Sequence, residues 1–256
     1  MGHPQFNTQD DNGIGDGIPP IPEWQLDPAS GPVYHDPELS GPDADVDYEV
    51  RNVFTRLRNA FHRAQQTSFP TTRLHDLTCF VVHRLLLSAP DTMSPRPPPP
   101  LTECIRYAII LYMLIVQGPT YFSHAVLLNA TVARLVEQLE RLEWTIRECG
   151  SLDVWLLATG MVASAGSMQY QWFFERGRAL AASLQLENWD DILVRIKSVL
   201  WLETLHGEDV FRPHWDAVLN PATDHPGPPG LPLSVSPPVW FRADQNQSVL
   251  LTNIRL

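Results

Sequence analysis

Leu101-Thr102-Glu103-Cys104-Ile105-Arg106-Tyr107-Ala108-Ile109-Ile110-Leu111-Tyr112-Met113-Leu114-Ile115-Val116 is the stretch on which the fold turns. From Tyr107 onward it is apolar on nearly every face of a helix, so a helix here has to be surrounded by other elements. Gly118-Pro119 ends it, because glycine accepts the helix-terminating conformation and proline cannot continue the ladder. Its ten uninterrupted apolar residues, Tyr107 to Val116, fall short of the ~20 that cross a bilayer. The stretch therefore reads as the central helix of a soluble bundle.

Working outward, the same three- and four-residue spacing recurs. Val50, Val53, Phe54, Leu57 and Phe61 mark an amphipathic helix over Val46 to Gln65, with Arg51, Arg56, Arg58 and Arg63 largely elsewhere around its axis. Leu74, Leu77, Val81 and Leu85 mark a second over Thr72 to Leu87, and the run Pro97 to Pro100 follows as a semi-rigid connector. Beyond the central helix the pattern predicts helices over Ser123 to Arg147, Leu152 to Ala165 with Ser151 as N-cap, and Gln169 to Leu186. Asp190 to Leu205, capped by Asn188, and Glu208 to Leu219 complete the set. No segment alternates with a two-residue period convincingly enough for a strand. The expectation is all-α: a single array of about eight helices over residues 46–220.

Both ends lie outside that array. Residues 1–45 carry nine carboxylates and no Lys or Arg, and their Pro, Gly, Asp and Ser content cannot offset the entropy of ordering the backbone. They are expected to form a disordered acidic arm. Seven prolines break residues 221–238, so residues 221–256 read as a Pro-rich tail. The net charge of −11 thus sits mainly in the arm, while residues 46–220 hold 16 basic against 18 acidic side chains. A phosphate-binding surface needs clustered Lys and Arg, so direct nucleic-acid binding is not expected. The acidic, turn-rich start and the absence of a long apolar run give no expectation of secretion or of a membrane span.

Residues able to carry chemistry are few. Cys79, Cys104 and Cys149 are isolated, and no CxxC pair occurs. His75, Cys79 and His83 are spaced i, i+4, i+8 and stack three metal-ligand types along one helix face. A straight helix rarely closes a tetrahedron, however, so ordinary packed histidines are the favoured reading and no cofactor is expected. Trp155, Trp172, Trp189, Trp201 and Trp215 either fill the core or line an effector pocket, for which Trp155, Trp172, Arg176 and Trp201 are the candidates. No GxSxG, HExxH or P-loop pattern occurs, and Gly13-Ile14-Gly15-Asp16-Gly17 lacks the strand and helix that a phosphate loop requires. In the arm, Glu23-Trp24-Gln25-Leu26-Asp27 sets an aromatic and an aliphatic side chain between carboxylates. That composition is typical of segments that dock in coactivator grooves, with a solvating tail as the favoured reading.

Four segments taken in order carry a family likeness: His83 to Leu87 (His-Arg-Leu-Leu-Leu); Glu103 to Tyr112; Val154 to Ala163; and a long block opening with Trp172-Phe173-Phe174-Glu175-Arg176. That block runs through Leu184 to Trp189 and Val199 to Glu203 to end near His214-Trp215-Asp216-Ala217-Val218. Over residues 72–219 the chain resembles the C-terminal regulatory domain of fungal zinc-cluster transcription factors. The resemblance implies an all-helical module that regulates a DNA-binding domain, engages protein partners and, in some members, senses a small molecule. The departure is the cluster itself, which needs six cysteines opening with a CxxC-type pair where this chain has three isolated ones.

The expectation is therefore a cluster-less, non-enzymatic regulatory module in the nucleus. It would act through protein partners such as a zinc-cluster factor or coactivator, with an effector as a further option. A helical enzyme, a purely structural helical protein and a cytoplasmic location stand as the alternatives.

Overall fold

A computed structural model describes residues 22–25, 46–64, 70–88, 98–118, 125–142, 150–204 and 207–220. All regular structure among them is α-helical: α1 (Pro22–Gln25), α2 (Tyr48–Ala64), α3 (Thr71–Leu87), α4 (Pro100–Gln117), α5 (Ala125–Arg141), α6 (Ser151–Ala163), α7 (Gln169–Ser183), α8 (Trp189–Val199) and α9 (Gly207–Leu219). The all-α expectation holds, with eight helices over the body and one short turn ahead of them. The rest of the arm and the Pro-rich tail lie outside the described residues.

Helix α4 is the hub, touching α2, α3, α5 and α6; α6 forms a second centre against α7, α8 and α9. Every residue of α4 from Thr102 to Ile115 is buried. By length and composition this helix could cross a membrane, but its neighbours are the other helices of the body. Pro100 opens it at a position where the missing N–H is not required, with Pro99 as the preceding cap residue. Of the connector prolines, Pro99 and Pro100 thereby form the start of the helix.

Burying α4 on all sides also buries Glu103 and Arg106, the latter only 2% exposed. They satisfy one another through Arg106 Nε to Glu103 Oε1 at 2.9 Å. Nη1 of Arg106 donates to the Leu85 carbonyl at 2.7 Å and to Ser88 Oγ at 2.6 Å. Those acceptors are at the C-terminal end of α3, where helix carbonyls lack intrahelical partners and the dipole favours a cation. A charge within an apolar helix thus ties α4 to α3. Burial, and next the Glu103 carboxylate, push Tyr107 well above the ordinary phenol range.

Elsewhere the boundaries move for local reasons. The N-cap of α6 is Gly150, one residue before the expected Ser151, and the buried Asp153 carboxylate accepts its N–H at 2.9 Å. Helix α7 stops at Ser183 because Gln185 turns into the left-handed region at φ 54°, and Leu186 N–H closes back on the Ala181 carbonyl at 2.9 Å. Asn188 caps α8 as expected, accepting from Asp191 N at 3.0 Å. That helix ends at Val199, however, and not near Leu205. Leu200, Trp201 and Leu202 are all buried, and a helix would send three successive side chains around its circumference. The extended segment instead hands its backbone groups to core side chains: Trp155 Nε1 donates to the Leu200 carbonyl at 3.0 Å, and Leu202 N–H donates to Tyr112 Oη at 2.9 Å.

Two substitutions test this packing. Arg106→Met leaves the Glu103 carboxylate buried without its cation and should destabilise the fold by about 3–5 kcal/mol, with Glu103→Gln on that background restoring part of the loss, read by denaturant unfolding. At Gly160 of α6 an added Cβ would overlap the Phe173 ring of α7. Gly160→Ala should therefore lower stability by about 1–3 kcal/mol despite alanine's better helix propensity.

Candidate functional site

Asn52 and Arg56 lie one turn apart on α2 and share a face. Arg56 Nε donates to Asn52 Oδ1 at 3.1 Å, which fixes the guanidinium so that Nη1 donates to the main-chain carbonyl of Trp24 at 2.7 Å. The same guanidinium stands 5.9 Å from the centre of the Trp24 ring. Phe80 of α3 meets that ring edge-on, 5.0 Å between centroids at 67°. With 0% exposure, Trp24 is as deeply enclosed as any core residue, although it belongs to the acidic arm. The tryptophan that the sequence offers to a partner's groove is seated in the chain's own.

The seat combines an aromatic wall, a cation over the ring and a donor aimed at a helical turn's carbonyl. Chemically it reads an aromatic anchor carried on a short turn. Charge favours an acidic carrier as well: α2 has four arginines against one glutamate, and residues 1–45 have nine carboxylates. Sequence reasoning marked Trp24 and the arginines of α2 separately. No local pattern in α3 marks Phe80 as the residue that meets Trp24.

The three ligand types on α3 divide. Exposed His75 Nε2 and half-buried Cys79 Sγ lie 3.6 Å apart, with Gln117 Nε2 2.7 Å from His75 Nδ1, while His83 is buried. Burial, and then Asp76, raise the Cys79 thiol above its ordinary value. Among the described residues no group of three or more His, Cys, Asp or Glu could hold a metal ion. Cys104 is a buried cysteine in α4, and Cys149 is outside the described residues.

The four effector-pocket candidates also separate into two pairs. Trp155 and Trp201 belong to an aromatic chain through the core: Trp155 to Tyr112 at 5.8 Å, Tyr112 to Phe211 at 6.1 Å and Phe211 to Trp201 at 5.5 Å. Trp172 lies on α7 with its indole N–H on Glu140 Oε1 at 3.1 Å and Arg176 5.4 Å over its ring. Local bonding absorbs the indoles of Trp189 and Trp201 too. They donate to Glu208 at 3.2 Å and Glu203 at 3.1 Å, and Lys197 Nζ lies 2.7 Å from Glu203 and 3.8 Å from Glu208. Burial alone would raise Glu203, but the Lys197 and Trp201 hydrogen bonds outweigh it and hold the carboxyl below its ordinary value. Trp215 differs, its buried indole nitrogen having no hydrogen-bond partner among the described residues.

One interior pair was not legible in the sequence. Tyr170 of α7 and His214 of α9 lie 44 positions apart, yet Tyr170 Oη is 3.0 Å from His214 Nδ1 and both side chains are buried. Burial lowers His214 to about 4 and raises Tyr170 to about 12. The imidazole is therefore neutral at pH 7, and the pair fastens α7 to α9.

No protein-family model matches the chain, and no curated protein or solved structure is similar to it at a significant level.

The His214 shift has a signed consequence. The folded value is below the unfolded one, so the unfolded chain takes up the proton first, and stability present above pH ~6.5 falls as pH drops toward about 4. The contribution amounts to about 3 kcal/mol at most. His214→Gln, which keeps a group able to bond Tyr170, should flatten this component when unfolding free energies of both proteins are compared across that window.

Proposed function

We propose that the chain is a regulatory and interaction module of the kind attached to fungal zinc-cluster transcription factors, without a DNA-binding cluster of its own. It works in the nucleus through protein partners and performs no catalysis. The observation that carries this reading is the Trp24 seat, where the helical body receives an aromatic anchor from an acidic segment. This is the recognition mode by which acidic-hydrophobic segments engage their targets.

Three further features favour it. The ordered likeness over residues 72–219 points to a regulatory domain. The body is nearly neutral, with 16 basic and 18 acidic side chains over residues 46–220, which suits contact with proteins better than with a phosphate backbone. The interior groups Arg106, Tyr112, Trp155 and Asp153 are each bonded to backbone at a helix end or in the extended segment, so their chemistry is spent on holding helices together.

Tethering tests the reading directly. Fused to a heterologous DNA-binding domain above a reporter gene in yeast, the chain should change transcription several-fold, and the purified chain should capture a zinc-cluster factor or coactivator from fungal nuclear extract. An unchanged reporter together with no such capture would remove the transcriptional role.

A further inference from the structure

We propose that the seat between α2 and α3 is an exchangeable peptide-binding site, held closed in cis by the chain's own Trp24. In trans it accepts a partner protein's acidic helical turn centred on tryptophan. The inference rests on the interaction reading above only in taking the natural competitor to be a protein.

The chemistry of the occupant is set by what the seat already holds. Phe80 offers its ring to the edge-on face of an indole, Arg56 lies over that indole, and Arg56 Nη1 takes the carbonyl at the turn. None of these contacts requires the ligand to be covalently part of the chain. The turn itself is four residues long, Pro22–Gln25, too short to persist as a helix without its seat. Its fold is therefore a consequence of binding, as for a peptide ligand.

Tethering explains why the seat is filled and also why it can be emptied. Residues 26–45 join the turn to the body, and covalent connection through a link of that length corresponds to an effective concentration of ~1 mM. A segment that binds in trans with a Kd of ~0.1 mM would then keep the seat about ten parts closed to one open. A partner segment of similar chemistry but higher affinity displaces it. Long-range attraction between the nine arm carboxylates and the arginines of α2 makes the exchange sensitive to salt.

The experiment uses the full chain. A fluorescent peptide corresponding to residues 18–30 is titrated by anisotropy against the wild-type chain and against Trp24→Ala, in low and in high salt. The expected result is saturable binding to Trp24→Ala, weaker in high salt, with binding to wild type about tenfold weaker, the ratio the tether sets. A peptide lacking the tryptophan should not bind, and Arg56→Gln added to Trp24→Ala should weaken binding. Equal binding to both chains, or none to a Trp24→Ala chain that still melts cooperatively, overturns the proposal.

If Trp24→Ala does not fold, a protease site replacing residues 33–38 in an otherwise wild-type chain decides the matter. After cleavage the arm fragment should separate from the body on gel filtration, and the labelled peptide should then bind. An arm fragment that stays bound and does not exchange for the peptide overturns exchange. The two readings fail separately: peptide binding without any reporter effect leaves the seat and removes the transcriptional role, whereas a reporter effect without peptide exchange removes only the seat.

Discussion

Arg106 answers a constraint that the rest of the body inherits. A helix apolar on nearly all sides can be stable in water only when covered, and covering α4 takes Glu103 and Arg106 out of solvent with it. A buried guanidinium then needs acceptors on several sides. It finds one in Glu103 of its own helix and two more at the end of α3, so the direction in which α3 terminates is coupled to a side chain of α4. From the other end, Asp47 N–H donates to Thr102 Oγ1 at 3.0 Å and brings the start of α2 to the same helix. The placement of α2 and α3 around α4, and hence of the Trp24 seat between them, follows from how α4 disposes of its polar atoms.

The second half of the body solves the same problem in reverse. There the irregular element, residues 200–204, carries backbone groups that no helix satisfies, and aromatic side chains supply the partners. Tyr112 from α4 accepts one N–H and Trp155 from α6 donates to one carbonyl, so the two hub helices meet at a segment that is neither helix nor strand. Tyr170 with His214 plays a comparable part between α7 and α9. Polar atoms in this interior work as joints, whereas toward the edge Arg56 of α2 meets Trp24.

Helix α2 joins that edge to the core. One of its faces carries Asn52 and Arg56 beneath the arm. Phe54 reaches Trp155 at 6.3 Å between ring centroids, and Arg58 Nη2 donates to the Ser198 carbonyl of α8 at 2.9 Å. Arg84 of α3 meets Glu49 of α2 at 3.0 Å. Trp24 therefore rests on a helix fixed to both centres of the fold.

Helical periodicity alone determined the all-α class, the succession of eight body helices and the centrality of Leu101 to Val116, because covering an apolar stripe or a wholly apolar helix is dictated by residue order. The Asn188 cap was equally legible, since its side chain acts on the backbone three residues away. Tertiary structure decided what depends on distant groups. Periodicity continues through Leu200 to Leu202, and only Tyr112 and Trp155, far along the chain, make the extended path preferable there. The pairing of Tyr170 with His214 and the separation of His83 from His75 and Cys79 are set by which neighbours pack beside each helix, and no local pattern carries that. So too with Trp24: composition assigned it to a solvated arm, while Arg56 and Phe80, brought together from two helices, gave it a place to bind.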